Sequence, residues 1–335
     1  MKKEKILFVY TSKSTFVKND IDILSSQYDV IEHCYAQAKN LSGHFLSQAK
    51  LFFWLMKNIW TAEKIFIWFA DYHSFLPTVF AKILKKKLFI VIGGYDVCFI
   101  PEINYGSFKN PLRAFCTKFS IKYSFKNLAV SKYILNRTIQ IVPNLHTVLC
   151  YNGVDTGCFN LDENRIRKKI LTVGYIDSLQ RIKLKGIDTF IQLARKNPQD
   201  KFLVVGITKH AQGTLKNVPA NMDLIEPTDY SELHKYYEEA NIYCQFSMVE
   251  SFCLTLAESI LSGVVPIVFN NGALPEIVGD EKYVVKNEIQ LISEKIEKLK
   301  NISIAERIEN RNRIVENFSL KNRKSTLLKV LRDGF

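Results

Sequence analysis

Short apolar runs alternate along the chain with longer stretches in which apolar side chains recur every three or four positions. KILFVY (5–10), KIFIWF (64–69), LFIVIGG (88–94), NLAVS (127–131) and TVLCYNG (147–153) predict strands in the first half. KILTVGY (169–175), KFLVVG (201–206), MDLIE (222–226), NIYCQFS (241–247) and VVPIVF (264–269) predict strands in the second. Stretches such as KGIDTFIQLARKN and YSELHKYYEEA between them carry helical spacing. Strands that are apolar along their whole length must be covered on both faces, which means parallel sheets flanked by helices. Two successive sets of five predict an α/β protein of two doubly wound, Rossmann-like domains facing across a cleft. The first domain is expected at residues 1–150 and the second at 151–315, joined through the Gly-, Asn- and Asp-rich YNGVDTGCFNLDEN (151–164). A last helix in 316–335 is expected to pack back on the first domain. Ligands of such sheets bind beyond the carboxyl ends of the strands, so sites are sought just after strands.

Composition changes this picture in one respect. At 335 residues with 47% hydrophobic and 24% charged side chains, the chain has the make-up of a globular protein with two cores. The net charge of +13 is uneven: residues 1–150 hold 20 Lys and Arg against 9 Asp and Glu, residues 151–335 hold 26 against 24. That asymmetry points the first half toward an anionic partner, whether a membrane surface, a phosphorylated substrate or a nucleic acid. Seven scattered cysteines without a C-x-x-C pair argue against a disulfide framework or a zinc site and suit a reducing compartment. The opening MKKEKILFVY reads as a first buried strand rather than a signal peptide. LFFWLMKNIW (51–60) is interrupted by Lys57 and falls short of a membrane span. The expected location is the cytoplasm, with peripheral contact on the inner face of the membrane.

The stretch SMVESFCLTLAESILSGVVPIVF (247–269) concentrates the chemistry. It follows a predicted strand and reads as a loop carrying Glu250, then a helix over SFCLTLAESILSG ended by Gly263. The amides of Ser251, Phe252, Cys253 and Leu254 are then the free donors of a helix N-terminus, a setting suited to phosphate. Glu258, eight residues after Glu250, lies roughly on the same side of that helix. Two acids and a ring of amides suit a ligand bearing several hydroxyls and a diphosphate. Upstream, VGYIDSLQRIKLKGIDTF brings Arg181, Lys183 and Lys185 ahead of a helix opened by Gly186, cations of the kind that hold phosphate. A solvated basic loop and an ordinary exposed helix glutamate are the bland readings of these residues.

Taken in order and spacing, YNGVDTGCF, LTVGYIDSLQRIKLKGID with FLVVG thirty residues on, ESFCLTLAE and GALPEIV resemble the retaining glycosyltransferases of family 4, which have the GT-B fold. IGGYDVCFIPEINYG and LAVSKYI extend the resemblance into the first half. It implies transfer of a sugar from a UDP- or GDP-sugar to a glycan or lipid-linked acceptor, in the synthesis of capsule, lipopolysaccharide or exopolysaccharide. It implies no metal and no cofactor other than the nucleotide sugar. Glu250 would contact the donor sugar and Glu258 the ribose. Residues 251 to 255, from Ser251 to Thr255, would present amides to the diphosphate together with Lys185. The family's arginine after the strand glycine is absent, since Tyr175 stands there, and Arg181 takes its place.

In the first half, Asp96 follows Gly93 and Gly94 where the family sets a polar group beside the reacting sugar, while a turn aspartate is the plain alternative. His73, Glu102 and Tyr105 are further residues expected at the cleft or acceptor. DID (20–22) resembles a metal-binding D-x-D but is read as the start of an amphipathic helix, with Asp20 a cap or first-turn acid. Lys118, Lys122 and Lys126 alternate with Phe115, Phe119 and Tyr123, and with LFFWLMKNIW they suggest either a face for anionic lipid or inward-facing aromatics. A sugar-nucleotide epimerase of the same architecture is the alternative enzyme. A basic nucleic-acid-binding protein is the alternative of another class, and no RNP-like, helix-turn-helix or finger pattern supports it.

Overall fold

A computed structural model describes residues 3–38, 40–143, 146–163 and 167–333. The chain divides into two compact units, one of residues 1–152 with 323–335 and one of residues 153–322.

Unit 1 is built from β1 (Lys5–Tyr10), α1 (Thr15–Ser25), β2 (Asp29–Cys34), α2 (Leu41–Asn58), β3 (Lys64–Trp68), α3 (Tyr72–Ile83), β4 (Lys87–Ile92), α4 (Pro111–Tyr123), β5 (Lys126–Ala129), α5 (Lys132–Ile141) and β6 (Thr147–Leu149). Its strands among the described residues are all parallel, in the order β2-β1-β3-β4-β5-β6. Ile6 to Val9, Ile65 to Trp68 and Leu88 to Ile92 are buried, because each of these strands is covered on both faces. Unit 2 contains β7 (Lys169–Ile176), α6 (Leu179–Leu184), α7 (Ile187–Lys196), β8 (Lys201–Ile207), α8 (Lys209–Gln212), β9 (Met222–Ile225), α9 (Leu233–Glu239), β10 (Ala240–Gln245), α10 (Leu254–Leu261), β11 (Val265–Phe269), α11 (Leu274–Val278), β12 (Val284–Val285), α12 (Ile289–Leu299) and α13 (Ile304–Phe318). Its strand order is β12-β11-β10-β7-β8-β9, again all parallel. The last helix, α14 (Leu320–Asp333), begins in unit 2 and belongs to unit 1 from Arg323 onward.

Among the described residues the sheets have six strands each, not five. β2 (DVIEHC) alternates exposed and half-buried positions at the edge of its sheet, so it lacks the continuous apolar run that marks its neighbours. β12 is a two-residue pairing that only its register with Val268 and Phe269 reveals. Asp20 is also placed differently from the expected cap. With Ser14 preceding the first turn, α1 starts at Thr15, and Asp20 falls mid-helix and fully buried. It accepts from Trp68 Nε1 at 2.8 Å and forms a fork with Arg323, Nε to Oδ1 and Nη2 to Oδ2 both at 2.6 Å. The remaining Arg323 amine reaches the carbonyl of Tyr151 at 2.8 Å, so this pair ties α14 to the core of unit 1. Lys126 opens β5, so the lysines at 118, 122 and 126 do not share one helix.

Candidate active site

In each unit the order of strands reverses beside its first strand, and the crevice at the carboxyl ends there is where a parallel sheet receives ligands. In unit 2 the reversal lies between β7 and β10. Lys185, Glu250 and the start of α10 gather at that edge.

Local packing explains the gathering. Gly186 has φ +69°, and a Cβ on it would stand 2.1 Å from the carbonyl oxygen of Phe246. Only glycine lets α7 begin so close to the end of β10. Lys185, the residue before it, is thereby laid beside the loop that follows β10, where Met248 N–H donates to the carbonyl of Leu184 at 2.9 Å. A second clamp acts from the loop after β11. Gly272, at φ +65°, lies against the backbone of Glu250, Ala273 N–H donates to the Glu250 carbonyl at 2.9 Å, and Asn271 holds the carbonyl of Ser247 at 2.9 Å.

The Glu250 carboxylate, largely buried, pairs with Lys185 Nζ at 2.6 Å. Its Oε1 also accepts from Ser247 Oγ at 2.8 Å and Gln245 Nε2 at 3.3 Å. All three contacts fall on Oε1; among the described residues Oε2 receives no side-chain hydrogen bond. Burial alone would lower the Lys185 ammonium, but the charge and hydrogen bond of Glu250 raise it on balance. Arg181, one turn earlier on α6, acts against that rise, which sets two cations within electrostatic reach of each other. Behind the pair, Tyr243 OH donates to Gln245 Oε1 at 2.7 Å and lies 2.9 Å from Thr255 Oγ1, fixing the amide of Gln245 in the orientation that serves Glu250.

The helix expected from Ser251 starts instead at Leu254. Cys253 adopts the left-handed conformation at φ +70°, which breaks helical geometry just ahead of α10. The first-turn amides are therefore those of Leu254, Thr255 and Leu256, the last of which lies against the Cys253 thiol. Ser251 and Phe252 precede the helix, and Phe252 is buried edge-on against Phe318 at 5.5 Å. Gly263 follows the end of α10 at φ +78°, a left-handed terminator.

Glu258 has a different set of hydrogen-bond partners from Glu250. It is 2% exposed and bound by two phenols, with Tyr237 OH donating to Oε2 at 3.0 Å and Tyr230 as second donor. Phe159 packs edge-on to both rings. Burial pushes the Glu258 carboxyl from an ordinary 4.5 up to about 7, against the opposing pull of the two phenols. No direct contact joins Glu250 and Glu258 among the described residues. Tyr175, at the end of β7, is exposed.

In unit 1 the corresponding strand ends are stitched by Asp96. Its carboxylate is fully buried and accepts from the amides of Ala70 at 3.1 Å, Gly93 at 3.2 Å and Gly94 at 2.7 Å. Burial lifts it to about 6 despite those donors. Asp96 thus organises the β3 and β4 loops instead of standing open to a ligand. Gly93 serves packing, since a Cβ there would lie 2.2 Å from the ring of Phe69. His73 is a core residue, buried and with Nε2 at 2.8 Å from the Trp68 carbonyl, because α3 turns it inward. Glu102 is exposed, and Tyr105 is half-buried, edge-on to Tyr95 at 5.2 Å. Beside them Arg113 pairs with Asp71 at 3.0 Å and donates to Tyr95 OH at 2.7 Å, a polar cluster that sequence reasoning passed over. In unit 2 it also passed over Gln245, Ser247, Tyr230 and Tyr237. Gln245 and Ser247 are polar interruptions at the end of an apolar strand, and the two tyrosines stand seven apart, two helical turns. Both were usable signals.

Residues 160–319 match the family model of group 1 glycosyl transferases. The MMP α-(1→4)-mannosyltransferase of Mycolicibacterium hassiacum is 28% identical over 137 residues. That match covers 38% of this chain and 32% of the relative, so the chain spans about a third of the curated relative's length. Among solved structures, sucrose-phosphate synthase from Thermosynechococcus elongatus superposes with TM-score 0.80 at 14% identity, covering 99% of each chain. A glycosyltransferase from Rickettsia africae gives 0.73 at 18%, covering 99% of this chain and 100% of that one. Anabaena Alr3699/HepE in complex with UDP gives 0.74 at 15%, covering 98% and 99%. At these identities the structures establish the fold, which is GT-B with two Rossmann-like domains. The family match adds support for a glycosyltransferase.

Proposed function

We propose that this protein is a retaining glycosyltransferase that moves a sugar from a nucleoside diphosphate sugar to a hydroxyl of a glycan or lipid-linked acceptor in bacterial surface polysaccharide synthesis. The observation that carries the reading is the one-sided occupation of Glu250. Lysine, serine and glutamine hold Oε1 from the protein side, which leaves Oε2 to accept from a sugar hydroxyl. Lys185, Arg181 and the amides of Leu254 and Thr255 then supply the positive field for the diphosphate, with Ser251 to Cys253 as its flank. Glu258 takes the ribose, and Tyr230, half-buried beside it, gives way to the nucleoside. UDP, bound by the Anabaena neighbour, is the nucleotide put forward. Asp96 is a positioning residue for the acceptor-side loops.

In this reaction the acceptor oxygen attacks the anomeric carbon from the face the diphosphate leaves. The bond from that carbon to the β-phosphate oxygen breaks, and the acceptor proton passes to the departing phosphate. The protein contributes orientation and fixed charge; its cations and amides do the neutralising that a divalent ion does elsewhere.

Calorimetric titration with UDP and GDP, followed by donor hydrolysis with the corresponding sugars, tests the proposal. Glu250→Gln is expected to lower turnover on the order of a hundredfold with nucleotide affinity retained, whereas Glu258→Ala weakens nucleotide binding. Failure to bind either nucleotide, or two variants indistinguishable from the parent, rejects the reading.

A further inference from the structure

The helices on one side of the unit 1 sheet carry a feature that the transfer reaction does not use. α2 and the short 3-10 turn that continues it (Ile59–Thr61) are apolar on two faces. Leu51, Leu55 and Ile59 point into the core, as a surface helix requires. Phe45, Phe53 and Trp60 point outward and are 77%, 70% and 63% exposed, with Phe52 and Met56 also exposed between them. α3 lies between α2 and α4 and continues the face with Ile83, and α4 adds Leu112, Phe115 and Tyr123. Ring contacts join the helices: Phe52 to Phe80 at 5.8 Å, Phe75 to Phe115 at 6.1 Å and to Phe119 at 5.0 Å, and Phe119 to Tyr123 at 4.8 Å. Single exposed apolar residues need no explanation, but a connected aromatic surface across three helices does.

The charge around it selects the partner. The sequences of α2, α3 and α4 contain no Asp or Glu at all. Lys50, Lys57, Lys82, Lys118 and Lys122 are exposed among the aromatic rings, with Lys82 3.6 Å above the ring of Tyr123. A second copy of this face would bring like charges together, while an acidic protein would match the lysines but leave the phenylalanines and tryptophan unexplained. Aromatic rings flanked by lysines, on a helix too short and too polar to cross a bilayer, are what an anionic lipid surface accommodates. No helix among the described residues is long and apolar enough to span a membrane.

We infer that the α2–α3–α4 face of unit 1 is a docking surface for an anionic membrane, with Phe45, Phe53 and Trp60 entering the headgroup region and the lysines pairing with lipid phosphates. This inference stands apart from the donor reading, since none of these residues belongs to the unit 2 site.

The test is flotation of the full chain with vesicles of phosphatidylcholine alone and of phosphatidylcholine containing a third phosphatidylglycerol. The protein is expected to float with the anionic vesicles only and to be released by high salt. Trp60 serves as an internal probe, its emission shifting to the blue on binding. Lys50→Gln with Lys57→Gln should lower partitioning about twenty-five-fold, at about fivefold for each charge. Phe53→Ser with Trp60→Ser should abolish it, while circular dichroism and nucleotide affinity stay those of the parent. Absence of flotation, equal flotation with neutral vesicles, variants that bind like the parent, or a dimer dissociated by Phe53→Ser would each overturn the inference. Nucleotide binding, measured on the same samples, reports separately on the donor site.

Discussion

Glu258→Gln offers the most quantitative check on unit 2. The Glu258 carboxyl titrates near 7 in the folded protein and near 4.5 when exposed, because burial disfavours its charge more than Tyr230 and Tyr237 favour it. Below pH 4.5 both states hold the proton, and this group's contribution to stability is fully present. Between 4.5 and 7 the unfolded chain releases the proton while the folded chain keeps it, so stability falls as pH rises. Above 7 both states are ionised and the contribution is gone. At about 1.4 kcal/mol per pH unit the shift is worth about 3 kcal/mol in all, of which about 2.5 kcal/mol is lost between pH 5 and pH 8. Glutamine keeps the shape and one acceptor but has no proton to lose. The stability of the parent relative to the variant should therefore fall by that amount from pH 5 to pH 8. Urea unfolding followed by far-UV circular dichroism at pH 5, 6, 7 and 8 reads it. Trp54, Trp60 and Trp68 all lie in unit 1, so tryptophan fluorescence from the same samples shows whether the effect is confined to unit 2. Parent and variant curves that run parallel from pH 5 to 8 would refute the burial argument.

Lys185→Met leaves the Glu250 carboxylate without its cation in a largely buried setting; a loss of about 1–3 kcal/mol in unit 2 stability is expected, and on the donor reading UDP affinity measured by calorimetry falls at least about tenfold. Gly186→Ala forces a methyl group toward the Phe246 carbonyl at a left-handed position, so thermal unfolding of unit 2 should drop by several degrees, corresponding to about 2 kcal/mol or more. Gly213→Ala, at φ −63° with nothing nearer than 3.6 Å, is the control and should leave the melting temperature nearly unchanged or slightly higher. Arg323→Met strips the buried Asp20 of its partner and should cost unit 1 about 3–5 kcal/mol in urea unfolding followed by Trp68 emission; adding Asp20→Leu should recover most of it, and no recovery would show that the pair is not the cause.

The doubly wound architecture was legible because strands covered on both faces must be apolar throughout, and the central ones say so in KILFVY, KFLVVG and their counterparts. β2 and β12 were not, because an edge strand half in water and a two-residue pairing leave no such run. Helix termination at Gly263 and the nearness of Lys185 to the end of a strand could be read locally, since both follow from backbone chemistry within a few residues. The partners of those residues could not. That Glu250 is held through one oxygen by Lys185, Ser247 and Gln245 depends on Gly186 and Gly272 pressing two distant loops onto the end of β10. Glu258 sits in a box of Tyr230, Tyr237 and Phe159, although its helical spacing from Glu250 suggested a shared outlook. Asp20 looked like a cap because a sequence displays neighbours along the chain, whereas its true partner, Arg323, lies some three hundred residues away. Periodicity and turn chemistry are local and survive in one dimension; burial, ion pairing and the titration they impose arise between segments that meet only once the sheets have formed.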